Sequence, residues 1–133
     1  MSGQSVGTDE AIELFVNGTL MRGLALNPNL DGAEFLSEKR TAARYRIYSI
    51  GDVHPGMFEV DQGGVEVSGE LYRVPADVLW RLEEGEPPNL YRGPVHLVDG
   101  RVTDGILYPR ELAEQHGQDI SSYGDWRTYM AAR

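Results

Sequence analysis

Short runs of alternating apolar and polar residues, separated by glycine-rich turns, recur along this chain and limit the folds open to it. A period of two is typical of half-buried β-strands. It predicts strands over residues 13–16, 44–50, 56–60 and 65–74. Asp99-Gly100, between two further alternating runs within residues 95–108, predicts a hairpin closed by a type I′ turn.

Two segments follow the period of a helix instead. Pro75 precedes apolar residues at helical spacing, such as Val78 and Leu82, and the turn-rich EEGEPPNL ends that run. The final segment, SSYGDWRTYMAAR, predicts a short amphipathic helix with Asp125 as its N-cap. Many short strands and few short helices predict an α+β fold, mostly β, built as a small barrel or sandwich.

Length and hydropathy set the domain count and the location. A chain of 133 residues is the usual size of one domain, and we predict a flexible N-terminus over residues 1–12 and a single domain over residues 13–133. The opening MSGQSVGTDEAIE lacks the basic and apolar regions of a signal peptide, and no apolar run approaches the roughly 20 residues that span a bilayer. These features predict a cytoplasmic protein that does not enter a membrane.

Charge and residue types exclude several kinds of site. The formal net charge of −9 disfavours binding to nucleic acid. The chain has no cysteine, which excludes disulfides, thiolate metal sites and cysteine nucleophiles. Its three histidines lack the spacing of a metal motif and an evident catalytic partner, and we interpret His54 as a turn residue. We therefore expect no metal and no cofactor.

The first predicted strand ends in a polar loop with the sequence Asn17-Gly18-Thr19-Leu20. Glycine after a strand lets successive backbone N–H groups turn inward together, and such groups bind a carboxylate or an oxyanion. The Thr19 hydroxyl adds a donor, and Arg22 could supply positive charge at the rim. The loop therefore predicts one wall of a pocket for a small acid or amide. The alternative is a plain turn in which Asn17 and Gly18 adopt positive φ.

Two segments share motifs with a known superfamily. LFVNGTLMRG resembles the start of the γ-glutamylcyclotransferase-like, or AIG2-like, superfamily, with Asn17 in place of a tyrosine. The residues that follow match its pattern: Gly18, Thr19 and Leu20. GELYRVPADVLWRLEEGE resembles the strand, short helix and glutamate of the same superfamily, and Glu86 takes the place of its catalytic glutamate.

A longer resemblance, to the C-terminal domain of allophanate hydrolases, runs from Leu14 almost to the end of the chain. RTAARYRIYSI and DISSYGDWRTYMAAR are its more specific segments. In that family the loop carries a histidine where Thr19 stands, and the position of Glu86 is apolar. The chain resembles such a domain standing alone, without the amidase domain, but with a carboxylate at the cyclotransferase position.

The resemblance implies a fold, a site and an activity. The fold would be a small γ-glutamylcyclotransferase-like mixed β-barrel with short helices and a C-terminal helix. Glu86 would be the catalytic general acid/base. The substrate-binding residues would be Asn17, Gly18, Thr19, Leu20 and Tyr91. The protein would be a cofactor-independent transferase acting on a γ-glutamyl amine or a related small amide or carbamoyl compound.

Other interpretations stand beside this one. Glu86 lies among other glutamates in an acidic chain, a pattern typical of a solvated loop, and Tyr91 could equally begin a strand with its ring in the core. The allophanate hydrolase resemblance favours a non-catalytic domain that binds a small acid or supports a separately encoded amidase in allophanate or urea nitrogen metabolism. An edge strand near residues 57–60 could pair two copies into a homodimer.

Overall fold

The computed structural model of the chain describes residues 11–133. The strands are β1 (Ile12–Val16), β2 (Glu34–Arg40), β3 (Tyr45–Ile50), β4 (His54–Glu59), β5 (Ser68–Val74), β6 (Tyr91–His96), β7 (Val102–Leu107) and β8 (Gly117–Asp119). The helices are α1 (Ala76–Glu84), α2 (Arg110–His116) and α3 (Trp126–Ala132), with 3-10 helices at Asn27–Leu30 and Ser121–Tyr123.

The predicted flexible segment, residues 1–12, lies outside the described residues except at its end, where Ile12 already belongs to β1. Among residues 11–133, no helix is long and apolar enough to cross a membrane.

The strands form two sheets. The larger has the order β2-β5-β1-β7-β6, with β1 parallel to β7 and the other neighbours antiparallel. The smaller is antiparallel, in the order β4-β3-β8. The predicted α+β, mostly β class is confirmed. The predicted barrel is wrong, because within residues 11–133 the edge strands β2 and β6 approach each other only through a bridge between Thr41 and Leu97, and the sheet stays open.

Local sequence explains where the helices begin. Pro75 and Pro109, with φ of −64° and −62°, precede α1 and α2, and this fixed φ suits the entry to a helix. The N-cap prediction for α3 is confirmed, because the Asp125 carboxylate accepts a hydrogen bond from the Thr128 N–H at 2.6 Å.

The β6–β7 hairpin is confirmed, but its predicted turn type is wrong. A type I′ turn needs positive φ at both central residues, whereas only Gly100 of the Asp99-Gly100 pair has it (93°). Instead, the Gly100 N–H donates to the Leu97 carbonyl at 3.0 Å and the Leu97 N–H donates to the Arg101 carbonyl at 2.8 Å. The turn is therefore a three-residue loop whose last residue is a left-handed glycine.

The parallel strand pair positions the candidate site. Because β1 and β7 run in the same direction, their carboxyl ends lie at the same edge of the larger sheet. The loop at residues 17–20 leaves β1 at this edge. The Tyr108 N–H, just after β7, donates to the Met57 carbonyl at 2.9 Å and brings β4 of the smaller sheet against it. The site therefore forms where the two sheets meet.

Candidate functional site

A small cavity lies between the 17–20 loop, the start of β4 and the end of α1. Its polar lining residues are Asn17, Thr19, Asn29, His54 and Glu86. Most of the others are apolar, and they include Leu20, Leu26, Pro55, Leu82, Leu90 and Ile106. The cavity volume is about 30 Å³, roughly the space of two water molecules. The structure thus brings the predicted loop and the predicted glutamate to one place.

Gly18 is required by a close approach between the loop and β4. A Cβ atom at this position would lie 2.6 Å from Cδ and 2.7 Å from Cγ of Pro55. Neither Asn17 nor Gly18 has positive φ, so the alternative of a plain turn that uses glycine for a left-handed backbone is wrong. The glycine instead allows Pro55, and His54 beside it, to form the wall of the cavity.

Hydrogen bonds to the loop carbonyls fix the direction of its peptide groups. The carbonyls of Gly18 and Thr19 accept from the N–H groups of Met21 (3.0 Å) and Leu26 (2.9 Å). Within residues 11–133, the N–H groups of Gly18, Thr19 and Leu20 have no hydrogen-bond acceptor. Because a trans peptide points its N–H away from its C=O, the Thr19 and Leu20 N–H groups face the side opposite the bonded carbonyls. These two N–H groups are therefore candidate donors to a ligand.

Two side-chain amides hold the same loop at its ends. The Asn17 amide nitrogen lies 3.1 Å from the Met57 sulfur on β4, with the Asn17 side chain buried. The Asn27 amide donates to the Leu20 carbonyl at 2.9 Å. The loop is therefore fixed to its surroundings at both ends, and its free N–H groups keep a defined position.

Glu86 follows α1 and precedes Pro87, which restricts its backbone to extended conformations. Its Oε2 is buried without a hydrogen-bond partner. Burial, reinforced by the negative charge of Glu83 and opposed by Arg92, raises the pKa of Glu86 from 4.5 to about 7. A carboxyl with this pKa can exchange a proton near neutral pH.

Arg92 is a cation close to Glu86, but it does not keep the Glu86 carboxyl ionised. Its Nε donates to Glu83 at 2.8 Å, and its Nη1 donates to Asp104 at 3.0 Å. The guanidinium is thus bound by two other carboxylates. Its opposing effect on the Glu86 pKa is consequently smaller than the effect of burial.

His54 lies at the site, at the start of a strand and not in the turn that the sequence predicts. It opens β4, lines the cavity and is only 7% exposed. Its Nδ1 lies 2.9 Å from the Pro55 carbonyl, so that nitrogen carries the proton and Nε2 remains for another partner. The ring also lies against Tyr108, with 5.8 Å between ring centroids.

Tyr91 does not lie at the cavity. It begins β6 at the edge of the larger sheet, is 48% exposed and does not line the cavity. Its ring is therefore not in the core and does not contribute to the cavity. No group of three or more metal-binding side chains occurs in residues 11–133.

Comparison with known proteins identifies the family. Residues 12–131 match the sequence model of the allophanate hydrolase C-terminal domain. The chain belongs to this family. No protein in a search of curated sequences matches it significantly.

Solved structures agree with this family membership. A uropathogenic E. coli-specific protein is 42% identical, with a TM-score of 0.87, over 92% of this chain and 97% of that chain. Kluyveromyces lactis allophanate hydrolase is 27% identical, with a TM-score of 0.85, over 92% of this chain but only 21% of that enzyme. A γ-glutamyl cyclotransferase is 13% identical, with a TM-score of 0.55, over 83% of this chain and 70% of that chain, and shares the fold alone. The resemblance to the allophanate hydrolase C-terminal domain is confirmed as family membership, and the resemblance to the γ-glutamylcyclotransferase-like superfamily is confirmed for the fold.

Proposed function

We propose that this allophanate hydrolase C-terminal-type domain is a small-molecule enzyme with γ-glutamylcyclotransferase-like chemistry, in which Glu86 is the general acid/base. The substrate is a γ-glutamyl amine or a related small amide or carbamoyl compound. The observation that carries the proposal is the unpartnered, buried Oε2 of Glu86 at the cavity formed by the 17–20 loop. This oxygen has no hydrogen-bond partner among the described residues, so it can accept a proton or a hydrogen bond from a ligand.

The residues support a balanced reaction on a γ-glutamyl amine. Ionised Glu86 takes a proton from the α-ammonium, and the freed amine nitrogen attacks the γ-carbonyl carbon. The carbonyl oxygen becomes an oxyanion, which the free N–H groups of the 17–20 loop stabilise. As the oxyanion re-forms the carbonyl, the bond to the departing amine breaks and Glu86 returns the proton to that amine nitrogen, while the new ring nitrogen loses its second proton to solvent. The products are 5-oxoproline and a free amine, and the enzyme is unchanged.

A second candidate is a non-catalytic domain that binds a small acid and works with a separate amidase. The observation that favours it is the likeness to Kluyveromyces lactis allophanate hydrolase, of which this chain covers only 21%. In that candidate, the free N–H groups of the 17–20 loop would still bind a carboxylate, but Glu86 would transfer no proton.

Ligand stabilisation and turnover of the wild type, Glu86→Gln and Glu84→Gln separate the two candidates. Glu84 is a matched control, because it is exposed at the end of α1. The compounds are γ-glutamyl amines, 5-oxoproline, allophanate, biuret and malonate. A ligand at 100 times its Kd stabilises the fold by about 2.7 kcal/mol. We expect Glu86→Gln to bind a substrate but to lose about 10²- to 10⁴-fold in kcat, while Glu84→Gln stays active. Equal binding without turnover in all three proteins would favour the accessory domain.

A further inference from the structure

The cavity is smaller than the ligands of the proposed function. Its volume of about 30 Å³ has room for roughly two water molecules, whereas sites for small molecules usually measure about 300–1,000 Å³. A γ-glutamyl amine carries a carboxylate, an ammonium group and an amide, and it does not fit in this space. One wall of the cavity therefore has to move before such a ligand can reach the Glu86 carboxyl.

Two of the walls are held by networks of hydrogen bonds. β4 pairs along its whole length with β3, and its Met57 carbonyl accepts a hydrogen bond from the Tyr108 N–H. The 17–20 loop is bonded through its Gly18 and Thr19 carbonyls. Movement of either wall would break several of these bonds at once.

The third wall is the segment of residues 85–90, here named the strap, which joins α1 to β6. Within residues 11–133, residues 86–90 make no hydrogen bond. Pro87 lines the cavity and Pro88 is exposed. The strap is thus held over the cavity by side-chain packing. A segment with few hydrogen bonds and an exposed surface opens at a lower free energy than the core does.

The two ends of the strap suit hinges. Gly85, at the end of α1, has no side chain to hinder rotation of its backbone. Asn89 has a φ of 76°, in the left-handed region, which asparagine tolerates better than most residues. Pro87 and Pro88 lie between them and have a fixed φ. A stiff centre between two adaptable ends moves as a unit, and Glu86 lies on it.

The surroundings of Glu86 favour this movement. Its Oε2 is buried without a hydrogen-bond partner. The charged groups near it are Glu83 on α1 and Arg92 on β6, and Arg92 is bound by Glu83 and Asp104. β4 contributes one titratable group to the cavity, His54. Burial raises the pKa of Glu86 to about 7, and contact with water would return this pKa towards 4.5, so ionisation favours an exposed carboxylate.

We propose that the strap is a lid that turns outward about Gly85 and Asn89, opens the cavity to a ligand and carries the Glu86 carboxyl into water. The closed form holds a proton on Glu86, and the open form releases it to solvent. A rise in pH therefore opens the lid, and a fall in pH closes it. The identity of the ligand rests on the proposed function, but the movement is measured without any substrate.

Thiol labelling tests the movement, because the chain has no cysteine and one introduced thiol is the only one that reacts. Ile106 and Leu107 are neighbours on β7, 8% and 7% exposed, but of the two only Ile106 lines the cavity. We expect Ile106→Cys to react with a disulfide reagent at least about tenfold faster than the control Leu107→Cys at pH 8. The ratio of the two rates should fall at least about threefold at pH 6, where the closed form is favoured.

Glu86→Gln in the same two cysteine variants tests the role of ionisation. A neutral amide does not ionise, so the ratio of rates should stay within about twofold between pH 6 and pH 8, whereas Glu84→Gln should keep the full change. If Ile106→Cys does not fold, Leu82→Cys at the cavity and Leu71→Cys outside it give the same comparison, because both leucines are almost fully buried.

Two outcomes overturn the proposal. One is equal labelling of the cavity and control positions at pH 8, which would mean that this wall does not open separately. The other is a ratio of rates that does not change with pH, or that changes equally in Glu86→Gln. Failure of the proposed function gives a different result, namely a lid that opens with pH in a protein that turns over none of the compounds. Turnover together with equal labelling would leave the enzyme proposal standing and refute the lid.

Discussion

The surroundings of Glu86 favour its neutral carboxyl group, and the unfolding free energy therefore depends on pH. Its pKa rises to about 7 in the folded chain from 4.5, so between these values the folded state binds more protons than the unfolded state. The unfolding free energy therefore falls as pH rises through this window.

Glu86→Gln should remove this pH dependence. One pKa unit corresponds to about 1.4 kcal/mol, and because the side chain is only partly buried we expect a gain of about 1–2 kcal/mol relative to wild type at pH 8 and little difference at pH 4.5. Urea unfolding at the two pH values measures it, and Glu84→Gln should show no such gain. A variant that is less stable than wild type at pH 8 would mean that Glu86 makes a stabilising contact.

At the residue scale, sequence motifs predict those site residues that stand together in one continuous stretch of chain. The 17–20 loop and Glu86 each stand in such a motif, and the structure brings them together. The place of His54 in the cavity wall depends on Pro55 packing against Gly18 from a different part of the chain, a contact that no local sequence pattern specifies. The family resemblance implies that Tyr91 binds substrate, but β6 carries it to the edge of the larger sheet.

At the scale of elements, β5 fixes the loop that follows β1. Glu70 on β5 is only 3% exposed. Its carboxylate accepts hydrogen bonds from the Arg22 N–H at 2.9 Å, the Arg22 Nε at 3.0 Å and the Tyr72 hydroxyl at 3.1 Å. Arg22 stands just beyond the 17–20 loop, so Glu70 holds the chain on the side where that loop ends.

Glu70→Gln should therefore loosen the loop. The amide keeps an acceptor oxygen but loses the charge, and we expect a cost of about 1–3 kcal/mol. Amide hydrogen exchange should accelerate more at residues 21–26, where the N–H groups of Met21, Arg22, Leu24 and Leu26 are bonded, than in α1. Glu38→Gln is the control, because Glu38 contacts the same Arg22 at an exposed site. Uniform acceleration across the whole chain would mean that Glu70 contributes to global stability and not to the position of the loop.

The elements predicted from the sequence are those with a clear alternation or cap. β3 shows strict alternation, with Tyr45, Ile47 and Ser49 buried. β2 was not predicted, because as an edge strand it is only partly buried along its length. β8 has three residues and pairs with β3 across a long stretch of chain, so no local pattern indicates it. The predicted strand over residues 65–74 is shorter in the structure, where β5 begins at Ser68.

At the scale of the whole molecule, the C-terminal segment joins the two sheets. β8 pairs with β3 of the smaller sheet, and the Gly124 carbonyl accepts a hydrogen bond from the Ser68 N–H of the larger sheet at 3.0 Å. Trp126, 2% exposed, then packs in the main core. We infer that residues 13–133 are one domain that unfolds as a unit, with α3 as part of its core.

Trp126→Ala tests this inference. Loss of a buried aromatic side chain costs about 3–5 kcal/mol, and the remaining Trp80 fluorescence and the far-UV circular dichroism should still report one coincident urea transition. Trp80→Ala is the control, because Trp80 is 65% exposed and its loss should change stability by no more than about 0.5 kcal/mol.

If Trp126→Ala does not fold, Tyr129→Phe provides a milder test through a second contact of the same helix. It removes the hydroxyl that donates to Asp52 at 2.7 Å and should cost about 1 kcal/mol without changing cooperativity. Two transitions in the wild type would contradict a single cooperative domain, whereas two transitions in a variant alone would show that the lost contact couples the sheets. A single transition at lower urea in a variant would show that the two sheets still unfold together, because the loss at one end of the chain is then felt by both.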